Sequence, residues 1–214
     1  MAGSDIDAEP VDELERDHLD LSDRWILSRL NRTITGVDES FDAYRFNETA
    51  KKIYDFTWSD FCDWYVEIIK SRLYGEDDLR KQTAISVATY VLKSVVKMLH
   101  PFSPFITEEL WQKFESVAPD LEEECDLIVA SWPLSDSKWL DENAEKELSR
   151  LQSLITGVRT IRSEMGVPPS SKADVIIRTN DGEAEFIASN QIIISDLARV
   201  ENLNHGSEIG RAHV

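Results

Sequence analysis

The sequence predicts a mainly α-helical fold: a helix bundle followed by a small α/β subdomain. Three observations predict it. Apolar residues recur at helical spacing through several separate stretches of the 214-residue chain. Helix start and stop signals bracket those stretches, among them Asp77-Asp78, Ser103-Pro104, Gly75, Pro101 and Gly166. After Pro168-Pro169 the period changes, and Ala173-Asp-Val-Ile-Ile-Arg-Thr179 is β-branched and strand-like. The expected organisation is an acidic linker or terminal extension over 1–21, the bundle over 22–136, and a long helix plus the α/β piece over 137–214.

Ser22 or Asp23 is expected to cap the first helix, which carries Trp25, Ile26, Leu30, Ile34 and Val37. Gly36 weakens its last turn, and residues 41–44 form a short connection. The second helix starts near Asn47 and runs to about Tyr74, before Gly75. It contains the stretch around which the chain is organised: Tyr54, Trp58, Phe61, Tyr65, Ile68 and Leu73 on one face, with Asp60, Asp63, Glu67 and Lys70 on another. Aromatics dominate core burial, so the first face reads as core. Asp60 and Asp63 read as solvated, and Lys70 and Arg72 as complements to the helix dipole.

A third helix over 77–99 presents Ile85, Ala88, Leu92, Val95 and Leu99 inward, with Gln82, Ser86, Thr89, Lys93 and Lys97 outward. A short fourth helix begins at Ser103-Pro104 and is anchored by Phe105, Leu110, Trp111 and Phe114. An acidic loop follows over 117–137. The fifth helix, from Asp141 to Met165, turns Leu148, Leu151, Ile155, Val158 and Ile161 inward. Beyond Asn180-Asp-Gly182, a turn signal, two short helices and a second short strand at 200–205 complete the tail.

The net charge of −18 is unevenly spread. Residues 1–23 hold nine acids and one base, net −8; residues 101–147 hold thirteen acids and three bases, net −10. Residues 24–100, with twelve bases and eleven acids, are at +1, and 148–214, with seven bases and eight acids, at −1. A locally basic face on the central helices is compatible with this. No apolar run is long enough to span a bilayer, so no membrane partner is expected. The acidic N-terminus is no signal peptide. Cys62 and Cys125 form neither a metal-ligand spacing nor a disulfide framework, which fits a cytoplasmic location. The sequence contains no glycine-rich phosphate loop, no G-x-S-x-G and no H-E-x-x-H. His100 reads as a structural histidine and Cys62 as an inert core thiol. No catalytic and no metal-ligating residue is assigned.

Four motifs carry a resemblance. Trp58-Ser-Asp-Phe-Cys-Asp-Trp-Tyr-Val-Glu67 resembles the anticodon-binding helix bundle of valyl-tRNA synthetases. His100-Pro-Phe-Ser-Pro-Phe-Ile-Thr-Glu-Glu-Leu-Trp111 is similar to a motif shared by the valyl, isoleucyl and leucyl class I enzymes. Asp23-Arg-Trp-Ile-Leu-Ser-Arg-Leu30 looks like the opening of the same region. Ile161-Arg-Ser-Glu-Met-Gly-Val-Pro-Pro-Ser170 is similar to the segment after the bundle in the valyl enzymes. Together they cover roughly residues 22–205.

The resemblance implies the anticodon-binding domain of a valine–tRNA ligase, positioning tRNA(Val) for ATP-dependent aminoacylation by the rest of the enzyme. The family's His-Ile-Gly-His and Lys-Met-Ser-Lys-Ser signatures, its editing domain, its Asn-Lys-Leu-Trp-Asn-type helix and its coiled-coil arm are not found. The chain is therefore expected to be a fragment that needs no cofactor itself, with ATP used by the parent enzyme. Its expected partners are tRNA(Val) and the remaining synthetase domains, not DNA. RNA contacts are expected from Arg29 and Arg32 on the first helix, Arg45 and Lys52 at the entry to the second, and Lys93 and Lys97 on the third. Phe56 is a stacking platform if exposed, and Arg159 and Arg162 are added from the fifth helix. The alternative is a non-catalytic helical protein-interaction module using the acidic loop, without intrinsic RNA affinity.

Overall fold

A computed structural model describes residues 10–11, 14–117, 126–179 and 181–206. The start of the acidic lead segment, Cys125 with its acidic neighbours, Asn180 of the turn and the tail after 206 lie outside the described residues. The chain divides into two compact units, Met1–Glu145 and Lys146–Val214.

In the first unit, helix α1 (Leu21–Asp42) is capped by Asp20, whose capping box is closed by Asp23. The expected caps, Ser22 and Asp23, are instead buried within the first turn. Gly36 does not end the helix, because one glycine costs only about 1 kcal/mol and the flanking Ile34, Val37 and Ser40 are all buried. Tyr44, in the left-handed region at φ 55°, turns the chain into α2 (Phe46–Asp55).

Helix α2 continues into a π-helical stretch, Phe56–Val66, and then α3 (Glu67–Leu73). Regular α-helix is the sequence expectation here, and the departure has a visible cause. The buried residues Phe56, Phe61, Tyr65 and Ile69 are spaced five, four and four. Bonding from i to i+5 widens the helix and keeps such residues on one side, whereas a 3.6-residue period rotates them apart. The consequence corrects the expected stripe: Tyr54 and Trp58 are 61% and 53% exposed.

Helix α4 (Asp78–Leu99) is capped by Asp77, whose carboxylate accepts from the Arg80 amide at 3.1 Å. Its buried line is Ala84, Val87, Val91, Val95 and Met98, and it also takes in Ser86. Ile85, Ala88, Leu92 and Leu99, expected inward, are half-buried. This helix is apolar over most of its circumference, so periodicity alone left the register of burial open. Helix α5 (Pro104–Val117) buries Thr107 and Trp111, and Trp111 packs with Val96, Leu127 and Phe114. Phe105 (92% exposed) and Leu110 fall off that line and are not anchors. His100 Nδ1 lies 2.9 Å from Thr107 Oγ1, consistent with a structural histidine.

Helix α6 (Glu142–Glu164) crosses the division, and residues 142–145 count with the first unit. In the second unit Leu148, Leu151, Ile155 and Val158 are buried, but Ile161 is exposed and Arg162 takes the inward place. Gly166, at φ 69°, ends this run. Strand β1 (Ala173–Arg178) pairs in parallel with β2 (Val200–Gly206). Parallel pairing requires a crossover, which α7 (Asp181–Ser189) and α8 (Gln191–Ala198) supply.

Candidate nucleic-acid interface

One buried cluster fixes the helices that carry the basic residues. Asp23, fully buried on α1, receives both terminal nitrogens of Arg72 at 2.6 and 2.7 Å and the Tyr65 hydroxyl at 2.7 Å. Arg72 also donates to Ser22 Oγ at 3.2 Å, and Asp20 bridges Arg72 and Arg80 at 3.1 and 2.7 Å. Burial lifts the Tyr65 phenol well above its ordinary range, and Asp23 adds to the rise. Burial alone would lower the Arg72 pKa, but the hydrogen-bonded Asp23 carboxylate outweighs it and the guanidinium is held more firmly charged. Arg72 is thus the buried counter-ion of Asp23, not a solvated complement to the helix dipole.

The arginines on the next turns of α1 are also occupied. Arg24 meets Asp141 at 3.1 Å, Arg29 meets Asp60 at 2.8 Å, and Arg32 meets Glu145 at 2.7 Å. Glu145 also accepts from Ser28 Oγ at 2.5 Å, and its hydrogen bond raises the Arg32 pKa. Asp60 is therefore not simply solvated. Burial raises its pKa despite Arg29, because the π-helical stretch turns it toward α1.

The other predicted contacts are scattered. Arg45 is exposed and pairs with Glu48 at 3.1 Å. Lys52 is exposed, and its stem crosses Gly36, with Cδ 3.5 Å from the position a Cβ would take there. Lys93 and Lys97 converge on one indole, their Nζ atoms 5.3 and 5.4 Å from the Trp111 ring centre. Phe56 is 3% exposed and cannot stack an RNA base; the wide helix buries it with Phe61. Arg162 is likewise excluded, since its guanidinium is buried and donates to the carbonyls of Arg199 and Ser171 at 3.0 and 2.5 Å. Arg159 donates to the Leu197 carbonyl at 2.9 Å.

Sequence reasoning missed the exposed aromatics. Tyr54 and Trp58 form one pair with ring centres 6.2 Å apart. A larger cluster occupies the C-terminal end of α1. Phe41 stacks on Phe102 at 5.7 Å and meets Trp132 and Phe46 edge-on at 5.6 and 5.8 Å. Asp38, Phe41, Asp42, Pro101 and Trp132 line a cleft of about 520 Å³ there. The available signal was aromatic density in a connection, Phe41, Tyr44 and Phe46 flanking Arg45, where a turn needs no core. A second cleft, about 390 Å³, is edged by Glu108, Glu109 and Asp126 and so repels phosphate. Among the described residues, no group of three or more His, Cys, Asp or Glu is placed to hold a metal ion, and no helix is long and apolar enough to cross a membrane.

A helical unit followed in the chain by a small α/β unit, with aromatic and basic side chains on the helical surface, is the class of architecture that the fold defines. Comparison with known proteins gives the family. Residues 23–177 match the anticodon-binding domain of tRNA ligase, and the chain belongs to that family. It is 40% identical to a valine–tRNA ligase of Enterococcus faecalis over 190 residues, 88% of this chain and 21% of that protein. It is 42% identical to those of Rhizobium meliloti and Geobacter sulfurreducens, with 86% and 90% of this chain matched against 19% and 22% of theirs. The chain spans about a fifth of the length of the curated relatives it matches.

Proposed function

We propose that this chain is the anticodon-binding part of a cytoplasmic valine–tRNA ligase and that it positions tRNA(Val) for aminoacylation. Activation of valine with ATP belongs to the other four-fifths of such an enzyme, which is this chain's second partner. The observation that carries the proposal is the family match over 23–177 together with relatives that are valine–tRNA ligases.

Within that reading, Arg45, Lys52, Lys93 and Lys97 contact phosphates from the bundle surface. Arg29 and Arg32 serve only by exchanging Asp60 and Glu145 for RNA phosphate. Both arginines are part-exposed and within reach of a phosphate, but Asp60 and Glu145 are largely covered, so RNA contact has to offset the loss of their partners. Unpaired loop bases are read by stacking and by hydrogen bonds at their edges.

The test is titration of the 214-residue chain with valine tRNA and with the same tRNA altered at the middle anticodon base, at low and moderate salt. Tighter binding of the native anticodon is expected, with affinity falling as salt rises because phosphate contacts release counterions. No binding of either RNA at low salt overturns the proposal.

A further inference from the structure

Helix α5 and the short turn at Leu127–Val129 leave apolar side chains in water that the fold does not use. Thr107 and Trp111 form the buried line of α5, and Phe105 stands outside it, 92% exposed. In the turn, Leu127 goes inward against Trp111, while Ile128 and Val129 are 73% and 71% exposed. A 3-10 turn has three residues per repeat, so only one of three consecutive apolar residues can point into the core. The turn is also tied to α5, because Glu108 accepts from the Leu127 amide at 3.2 Å. Phe105 and Ile128 thereby line one cleft of about 390 Å³, together with the carboxylates of Glu108, Glu109 and Asp126. Single exposed apolar residues need no explanation. Two that line one groove, with a third next in the chain, do.

Charge limits what can cover this groove. Lys113 lies 3.6 Å from Glu109, but residues 101–147 as a whole hold thirteen acids against three bases. The segment cannot neutralise the rim by itself. RNA phosphates and an anionic membrane surface are repelled. A second copy docked through the same patch about a two-fold axis would set these carboxylates against their own kind. What fits is a different polypeptide surface, apolar at its centre and carrying lysine or arginine around it.

We propose that this groove is the face on which the rest of the synthetase docks, through a segment of that chemistry. The proposal rests on the valine–tRNA ligase reading above. The chain spans about a fifth of the length of its relatives, so the partner is part of the same polypeptide and is present at high effective concentration. A linker alone leaves two domains free to move. A module that positions tRNA for chemistry carried out elsewhere has to be held in place, and Phe105 is the anchor that enters the partner.

The experiment compares the full-length synthetase containing this chain with the 214-residue chain alone. Both are labelled at carboxyl groups with a carbodiimide and glycine ethyl ester, without tRNA, and the rates are read by mass spectrometry. Glu48 and Asp55, also exposed, are the reference carboxyls. Relative to them, Glu109 and Asp126 are expected to react about fivefold more slowly in the full-length protein, because a docked interface excludes water. Phe105→Ser combined with Glu109→Lys is expected to return Asp126 to the rate of the isolated chain. Both substituted residues are exposed, so urea unfolding of the 214-residue chain carrying them is expected to match the wild type.

Equal rates in the two proteins overturn the proposal, and so does an Asp126 that stays protected in the double variant. Protection that appears only when valine tRNA is added assigns the groove to RNA and overturns it. Slow labelling already present in the 214-residue chain overturns it too: relief on dilution assigns the groove to a second copy, and no relief to the chain's own second unit. Attachment of valine to tRNA by the same full-length preparation is measured alongside. Activity without protection refutes the docking face and leaves the reading standing, whereas protection without activity refutes the reading.

Discussion

The two ends of α1 place aspartates in opposite conditions. At the N-terminal end Asp23 is buried, and Arg72, Tyr65 and the Asp20 amide fill its carboxylate. At the C-terminal end Asp38 holds one indole and Asp42 is exposed at the rim of an aromatic cleft. The residue type and the helix are the same, and only what folds over each end differs. A charge out of water must be paired at once, so the N-terminal aspartates are committed to the fold. The C-terminal pair stays at the surface, where water satisfies the oxygens that the chain leaves open.

The largest test of that contrast is Asp23→Ala. It leaves the buried Arg72 guanidinium without its carboxylate, and the expected loss is about 3–5 kcal/mol in urea unfolding. Replacing Asp23, Tyr65 and Arg72 together by Leu, Phe and Leu is expected to recover most of the loss, because the penalty comes from an unpaired charge and not from the absence of the pair. A triple variant as unstable as Asp23→Ala would refute this account. Tyr65→Phe tests the same end more gently. It removes one charge-assisted hydrogen bond and no volume in the core, for an expected cost of about 1.5–3 kcal/mol. A cost near zero would mean that Arg72 and the Asp20 amide satisfy Asp23 without the phenol.

Helix boundaries were legible because their signals are local. Asp77 caps α4, Pro104 starts α5, Gly166 ends the α6 run, and the β-branched run at 173–178 forms β1. Burial register was less legible. The five-four-four spacing from Phe56 to Ile69 was present in the sequence, but it was read against a 3.6-residue period. That put Tyr54 and Trp58 inside and let Phe56 stand as a surface platform. Arg29 and Arg32 were recognisable as surface arginines, yet their partners lie 31 and 113 residues away. The cleft was harder still, because it joins three distant segments: 38–42, Pro101 and Trp132. Each alone reads as an ordinary turn or core residue.

At the open end the expected effect on stability is smaller. Asp38→Ala removes the acceptor of the Trp132 indole, which is only half-buried and can turn to water. The expected cost is about 0.5–1.5 kcal/mol, read by urea unfolding. A loss as large as that of Asp23→Ala would show that Asp38 too belongs to the fold, and the contrast between the two ends would disappear.

Asp60 stands between these extremes, and its pH dependence gives the smallest and sharpest test. It is paired with Arg29, yet burial raises its pKa above the ordinary 3.8. The folded chain therefore holds the Asp60 proton more tightly than the unfolded chain does. The stabilisation from that proton is complete below 3.8 and is lost as pH rises through the raised value. Asp60→Asn has no such proton to lose. The stability of the wild type minus that of Asp60→Asn is thus expected to fall as pH increases from 3.8, then to level off above the raised pKa. Chemical denaturation of both proteins across that range measures it, and taking the difference cancels the titration of the other carboxylates. A difference that rises with pH would mean that the Arg29 pair outweighs burial. Asp60 would then belong with Asp23 among the aspartates the fold depends on, and Arg29 would be correspondingly harder to release to a phosphate.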